Sequence, residues 1–317
     1  MPPRWVRRRQ NPSARRCRSS CDAADESDRR RQGVPRPSGA SQRRPGSRRR
    51  VPHLVCARGV LDRLSRSPHR DRFVLKGGVL LAAFDERRPT RDVDLAGLYL
   101  DNAIETIIEA VVEIAAIGVD DGLVIAADQA SAEVIREESA SYTGVRVSLP
   151  ATLAGARVSF HVDVNVGDPI EPAPETTAVP RILGGSIDVL GYSVEMVIAE
   201  KLVTAVQRGT ANTRWRDFVD LHRIIRSRRL AGAQLVASTR LVADYRLATL
   251  APLGTVLDGY GEVAQARWAA WRTKQKLEDQ APERIDDLIV SLVEFAEPIL
   301  DGTAESLTWD PTSRAWR

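Results

Sequence analysis

The sequence is poor in cysteine and in aromatic residues, and it contains no long apolar run. Its 317 residues include three cysteines, and aromatic side chains make up 5% of the chain. The cysteines lack the spacing of a disulfide framework or of a zinc site, which favours a reducing compartment. No stretch approaches the ~20 apolar residues of a membrane span, and the apolar segment of a secretory signal is missing. We therefore expect a cytoplasmic protein without a membrane partner.

Positive charge is concentrated at the N-terminal end of the chain. Residues 1–50 contain 16 Arg and four acidic residues, a charge of +12, whereas the whole chain carries +4 and the remainder therefore −8. This segment has too few aliphatic residues to bury a core. We predict that residues 1–50 form a disordered Arg-rich arm that nucleic acid attracts. The alternative is an extension that is not native, for example from an upstream start codon.

The most informative stretch runs from residue 73 to residue 95 and begins with a glycine pair. The apolar run Phe73–Leu75 stops at Lys76-Gly77-Gly78, and the apolar character resumes in a segment that resembles a helix, from Val79 to Phe84. Glycine has no Cβ, so backbone N–H groups at Gly77 and Gly78 can approach a phosphate closely. A helix N-terminus behind them favours the same anion. The glycine pair therefore indicates a phosphate-binding turn.

Two aspartates follow the glycine pair, at Asp92 and Asp94. Strand side chains alternate between faces, so residues two apart on a strand point to the same face. Carboxylates brought together in this way repel each other unless a cation lies between them, and oxygen ligands favour Mg²⁺ or Mn²⁺. A metal-carboxylate pair beside a phosphate-binding turn predicts nucleotide chemistry.

A later strand adds a third candidate carboxylate. Residues 156–166 read ARVSFHVDVNV, in which valine and phenylalanine alternate with polar residues, so Asp163 lies on the polar face. Taken alone, Asp163 is most simply a solvent-facing aspartate. A metal ligand is the alternative.

Four motifs in this order resemble a known family: LKGGVLL at 75–81, RPTRDVDL at 88–95, AEKL at 199–202 and RDFVDL at 216–221. The first two resemble the nucleotidyltransferase fold of the DNA polymerase β superfamily. The full set is similar to the AbiEii/AbiGii toxin family, which includes the mycobacterial MenT toxins, from about Leu54 to the last helix. The resemblance implies an α+β fold, with a nucleotidyltransferase core of mixed sheet and helices over residues 51–180 and a helical C-terminal domain over residues 181–317. The four prolines of segment 168–180 predict a loop or linker between these two parts. Ser193 is a candidate N-cap for the helix that follows.

The resemblance also implies roles for individual residues. The implied catalytic residues are Asp92, Asp94, Lys201 and Asp217. The implied nucleotide-binding residues are Lys76, Gly77, Gly78, Arg91 and Lys201, although packing or simple solvation explains Lys76 and Arg91 equally well. The implied ligands of Mg²⁺ or Mn²⁺ are Asp92, Asp94 and Asp163.

The substrates follow from the resemblance and not from the residues themselves. It implies transfer of a nucleoside monophosphate from an NTP, a pyrimidine NTP in the MenT toxins, to the 3′ end of tRNA, which blocks aminoacylation. It also implies a cognate AbiEi-like antitoxin. The alternatives are nucleotidyl transfer to a protein hydroxyl or a small molecule, and a catalytically idle module that binds nucleotide or RNA.

Overall fold

The computed structural model of the protein describes residues 51–84, 92–136, 143–182 and 184–317. The predicted arm at residues 1–50 and the predicted phosphate contact Arg91 lie outside these ranges. Within them, no helix has the length and the apolar composition needed to cross a membrane.

Eight of the described strands form one mixed sheet. They are β1 (Phe73–Lys76), β2 (Asp92–Gly97), β3 (Leu123–Ile125), β4 (Ser131–Arg136), β5 (Thr143–Leu153), β6 (Ala156–Val166), β7 (Glu175–Pro180) and β8 (Ser186–Gly191). Their order in the sheet is β3-β5-β6-β2-β1-β8-β7, and β4 also pairs with β5. The pairs β1–β8 and β2–β6 are parallel, and the other pairs are antiparallel.

Helices precede, interrupt and follow this sheet. They are α1 (Val51–Ser65), α2 (Gly77–Leu80), α3 (Ile104–Ala115), α4 (Val194–Arg208), α5 (Trp215–Ser227), α6 (Gly232–Tyr245), α7 (Leu253–Val256), α8 (Tyr260–Gln275) and α9 (Ile285–Leu300), with 3-10 turns at Ala127–Gln129, Gly209–Ala211 and Thr303–Ser306. A second, small antiparallel sheet joins β9 (Leu230–Ala231), β10 (Thr308–Asp310) and β11 (Ala315–Trp316). The α+β class with a mixed sheet is thus confirmed.

Apolar and polar residues alternate along β6 as predicted, so its two faces differ. Phe160, Val162 and Val164 are buried in the core, whereas Ser159 is exposed and His161 is half-buried. Helices α1 and α3 contact the sheet and contribute to the same core. The strand therefore has one face for the core and one for polar groups.

The predicted boundary at residue 180 falls inside the sheet. The proline-rich segment 168–180 was expected to be a loop, but its second half is β7, which forms an antiparallel hairpin with β8. Pro180 ends β7 on the edge of the sheet, where a missing N–H is tolerated. The helices that follow the sheet begin with α4, where Ser193 is the expected N-cap: its hydroxyl accepts a hydrogen bond of 3.1 Å from the Met196 N–H. The division into two domains stays a prediction.

A cluster of charges joins α1 to the turn after β7. The Arg181 guanidinium donates two hydrogen bonds of 2.8 Å to the Asp62 carboxylate, and Arg66, just after the end of α1, donates to the same group. The Asp62 side chain is 4% exposed. Hydrogen bonds from Arg181, helped by Arg66, hold the pKa of Asp62 below its usual range although burial acts in the opposite direction.

This lowered pKa predicts a specific loss of stability in acid. Asp62 has its ordinary pKa in the unfolded chain, so its contribution is present above that pKa and is lost as pH falls through the lower folded value. Between about pH 5 and about pH 3 the free energy of unfolding should fall more steeply in the wild type than in Asp62→Asn. Urea unfolding at each pH measures this. Asp71→Asn, whose carboxylate is 75% exposed, is the control and should keep the wild-type slope.

Candidate active site

Four charged residues lie in one row across the centre of the main sheet. Strand register places Lys76 of β1 opposite Asp94 of β2, Asp94 opposite Asp163 of β6, and Asp163 opposite Arg146 of β5. Directly opposed residues on neighbouring strands project from the same face. The row therefore presents two adjacent carboxylates between a lysine and an arginine.

Asp94 lies against the backbone of the glycine turn. Gly77 has φ +67°, and a Cβ placed on it would lie 2.7 Å from Cγ of Asp94 and still closer to a carboxylate oxygen. Only glycine accommodates both the left-handed backbone and this close approach. The helix that follows, α2, is shorter than expected, with four residues. Gly77 is thus required by the position of Asp94.

Asp163 and Arg146 form a bidentate ion pair. Nε and Nη2 of Arg146 donate to Oδ1 and Oδ2 of Asp163 at 2.8 and 2.7 Å. These hydrogen bonds raise the pKa of Arg146 above its usual range against the effect of burial, and the charges of Asp163, Asp92 and Glu133 add to the increase. Both oxygens of the predicted third metal ligand are therefore held by an arginine that the sequence did not point to.

The AEKL and RDFVDL motifs meet on two neighbouring helices. Lys201 of α4 donates to Asp217 of α5, and also to Asp220 of α5 at 3.1 Å. Asp217 accepts a second ion pair from Arg214 at 2.8 Å. The Lys201 side chain is 9% exposed, so its charge depends on these carboxylates for compensation.

A second ion-pair cluster joins the strands to the helices. Lys76 at the end of β1 donates to Asp168 at 3.0 Å and to Glu200 of α4 at 3.3 Å. Glu200 also pairs with Arg246 at 3.6 Å, and Arg246 donates to the Thr204 hydroxyl at 2.9 Å. The sheet and α4 are therefore connected through charges that are largely buried.

These groups surround one cavity of about 370 Å³. A volume of this size is in the range of small-molecule sites. Gly77 contributes to its wall, whereas Gly78 and Asp92 are not among the lining residues. The charged lining residues are Lys76, Asp94, Arg146, Asp163, Glu200, Lys201, Arg214, Asp217 and Arg246.

Two of the three aspartates predicted to bind a divalent cation are placed as that prediction requires. Asp92 and Asp94 present carboxylates on one face of β2, and carboxylate oxygens are the ligands that Mg²⁺ and Mn²⁺ prefer. In the described part of the chain, no cluster of three or more His, Cys, Asp or Glu side chains is arranged to hold a metal. Asp163 lies next to Asp94 but is paired with Arg146. The assignment of Asp163 to the metal stays a prediction.

The sequence missed several residues of this site. Arg146 alternates with valines in VRVSL at 145–149, a pattern that places it on the polar face of β5 but does not distinguish it from a solvated residue. Glu200 lies beside Lys201, where a helical charge pair is usually solvated. Asp168 and Arg246 belong to no motif, and only the folded chain places Arg246 at the cavity and Asp168 in contact with Lys76.

Comparison with known proteins identifies a family. The family model described as "Nucleotidyl transferase AbiEii toxin, Type IV TA system" matches residues 59–291. Among solved structures, a candidate nucleotidyltransferase from H. pylori is 14% identical over 80% of this chain and 96% of its own, with a TM-score of 0.43. JHP933 from Helicobacter pylori is 13% identical over 80% of this chain and 93% of its own, also with a TM-score of 0.43. The curated proteins contain no match.

Because Gly77 contacts Asp94, we expect the methyl group added by Gly77→Ala to destabilise the fold. Gly77→Ala should lower the free energy of unfolding by at least about 1 kcal/mol, because alanine is strained at φ +67° and its Cβ collides with the carboxylate. Gly118→Ala is the matched control, since a Cβ there meets nothing within 4 Å, and should change stability by less than about 0.5 kcal/mol. Equal unfolding midpoints in urea would contradict the assigned contact.

Proposed function

The chain belongs to the AbiEii family of nucleotidyltransferase toxins of type IV toxin–antitoxin systems, and we propose that it transfers a nucleoside monophosphate from a pyrimidine NTP to the 3′ end of tRNA. The added nucleotide would block aminoacylation and hence translation. An AbiEi-like antitoxin would be its cognate partner.

One observation carries this proposal. Motifs that are more than 100 residues apart in the sequence meet at a single cavity: Gly77 from the turn after β1 and Asp94 from β2, and Lys201 and Asp217 from the helices that follow the sheet. A binding module needs only the phosphate contacts. The presence of carboxylates, a buried lysine and its aspartate partner around the same space favours catalysis of group transfer.

In the reaction, one bond to the α-phosphorus forms and one bond to it breaks. The acceptor hydroxyl oxygen bonds to the α-phosphorus, the bond from that phosphorus to the bridging oxygen of the β-phosphate breaks, pyrophosphate leaves, and the hydroxyl proton passes to water. Mg²⁺ or Mn²⁺ held by Asp92 and Asp94 would supply charge neutralisation at the phosphates. Gly77 leaves room for the phosphates, since it has no side chain.

Lys201 provides positive charge from the helical side of the cavity. Its ammonium is held by Asp217 and Asp220, so its position is set before a nucleotide enters. A preorganised charge stabilises the transition state without reorganisation at the moment of reaction. Asp217 orients Lys201 in this scheme. Lys76, held by Asp168 and Glu200, faces the same cavity and adds a phosphate contact, and Arg91 is proposed to add another.

Exposed arginines support a polyanionic acceptor. Arg214 lines the cavity immediately before α5. Arg216 and Arg226 on that helix, and Arg229 just after it, are exposed. An RNA backbone interacts with such arginines through its phosphates. A protein hydroxyl or a small molecule has no need of them.

Labelling with each α-³²P NTP tests the acceptor. We expect CTP or UTP to label total tRNA, and tRNA oxidised with periodate, which lacks the 3′ diol, to remain unlabelled. Asp94→Asn should abolish labelling, since it removes one metal-ligand charge while keeping the side-chain shape. Label in a protein lysate or in a metabolite extract instead would replace tRNA as the acceptor. NTP binding without any labelled product would identify an idle module.

Lys201 provides a second, independent test. Lys201→Ala should reduce turnover at least about a hundredfold, on the scale of losing one preorganised contact to the transition state. Lys201→Arg should restore only part of it, because a planar fork does not replace a compact ammonium. Turnover per folded molecule, with melting temperature measured in parallel, separates this effect from the stability lost when Asp217 and Asp220 lose the lysine charge.

Lys274→Ala is the matched control for this substitution. Lys274 is exposed on α8, so its removal should leave turnover and melting temperature unchanged. If folded Lys201→Ala kept near-normal turnover and the same NTP-induced rise in melting temperature, the helical side would have no part in the reaction.

A further inference from the structure

The guanidinium of Arg146 contacts both carboxylate oxygens of Asp163, which are the atoms that a metal ion would bind. The guanidinium lies side-on to the carboxylate and uses both oxygens, at 2.8 and 2.7 Å. Bidentate charge-assisted pairs of this kind are the strong ones. The Asp163 side chain is 12% exposed and that of Arg146 32%, so solvent screens the pair only partly.

The backbone fixes this pair. Arg146 and Asp163 are directly opposed on β5 and β6, and the register continues without a break from Val145 opposite Val164 to Leu153 opposite Ala156. The pair lies one position in from the end of this ladder, so both residues are held by strand pairing and not by a loop. Arg146 is therefore a permanent neighbour of the carboxylate row.

Electrostatics favours the arginine over a second metal ion. Asp94 and Asp163 are directly opposed like charges, which destabilise a sheet unless a cation offsets them. Arg146 offsets them already. A divalent ion at Asp163 must break two charge-assisted hydrogen bonds and leave the guanidinium, which stays protonated, next to the ion.

We propose that Asp163 does not bind a metal ion but positions Arg146. Arg146 then supplies the positive charge to the nucleotide at this end of the row. The divalent site is then limited to Asp92 and Asp94, and the inference rests on the nucleotidyl transfer proposed above. Arg146 lines the cavity. A guanidinium has five N–H groups, and two donate to Asp163, which leaves three for a phosphate.

The decisive variant removes both charges at once. Arg146→Gln/Asp163→Asn keeps the net charge of the row, and asparagine keeps the shape of the aspartate side chain. Titration of the nucleotide-free protein with Mn²⁺ should give the wild-type stoichiometry and a Kd within about threefold of the wild type. The Kd for the CTP analogue with a methylene group between the α- and β-phosphates should rise at least about tenfold. If Asp163 is a metal ligand, the Mn²⁺ Kd rises at least about tenfold instead, which overturns the inference.

Two further variants keep the outcome interpretable. Arg146→Lys retains the charge but lacks the fork, so it should leave Mn²⁺ binding unchanged and weaken the CTP analogue; wild-type affinity for the analogue would overturn the role of Arg146. Arg284→Gln/Asp286→Asn removes an exposed ion pair on and beside α9 and should change neither Kd.

Asp94→Asn distinguishes this inference from the function on which it rests. Loss of Mn²⁺ binding in Asp94→Asn together with loss in the double variant would overturn only the role given to Asp163. Wild-type Mn²⁺ binding in Asp94→Asn would overturn the metal site of the proposed function, and the one-site inference with it. Melting temperature and circular dichroism establish that each variant is folded.

Discussion

The direct opposition of Asp94 and Asp163 on parallel neighbouring strands is the constraint on which the site depends. Two carboxylates at this spacing repel each other, and their partly buried position strengthens the repulsion. Cations lie at both ends of the row, Arg146 in contact with Asp163 and Lys76 opposite Asp94. The glycine at position 77 then becomes necessary, since Asp94 lies against its backbone. Strand register thus determines the chemistry of the cavity wall.

Ion pairs across the cavity join the strands to the helices. Glu200 accepts from Lys76 and pairs with Arg246, while Lys201 is held by two aspartates. Buried pairs of this kind contribute little net stability, because desolvation of the charges offsets their attraction. Their effect is on geometry. Each positive group is held by a carboxylate before any phosphate arrives, which is the condition for electrostatic preorganisation.

Local patterns predicted several elements well. Ser193 begins α4 because its hydroxyl accepts from an N–H three residues ahead, and the alternation in 156–166 produces a strand with one buried face. The hairpin of β7 and β8 was missed. Prolines around residues 169–180 resemble a loop in sequence, but an edge strand tolerates Pro180 at its end because no partner needs its N–H.

The sequence by itself determined the placement of two aspartates on one face of β2 and the order of the motifs, since these depend on spacing along the chain, and the resemblance carried by those motifs implied the α+β class. It did not determine which charges meet. Arg146 is one more polar residue in an alternating strand until the β5–β6 register sets it opposite Asp163. Arg246 and Asp168 have no local signature either. Their roles arise from strand order and helix packing, because the energy of a buried charge depends on partners that are distant in sequence.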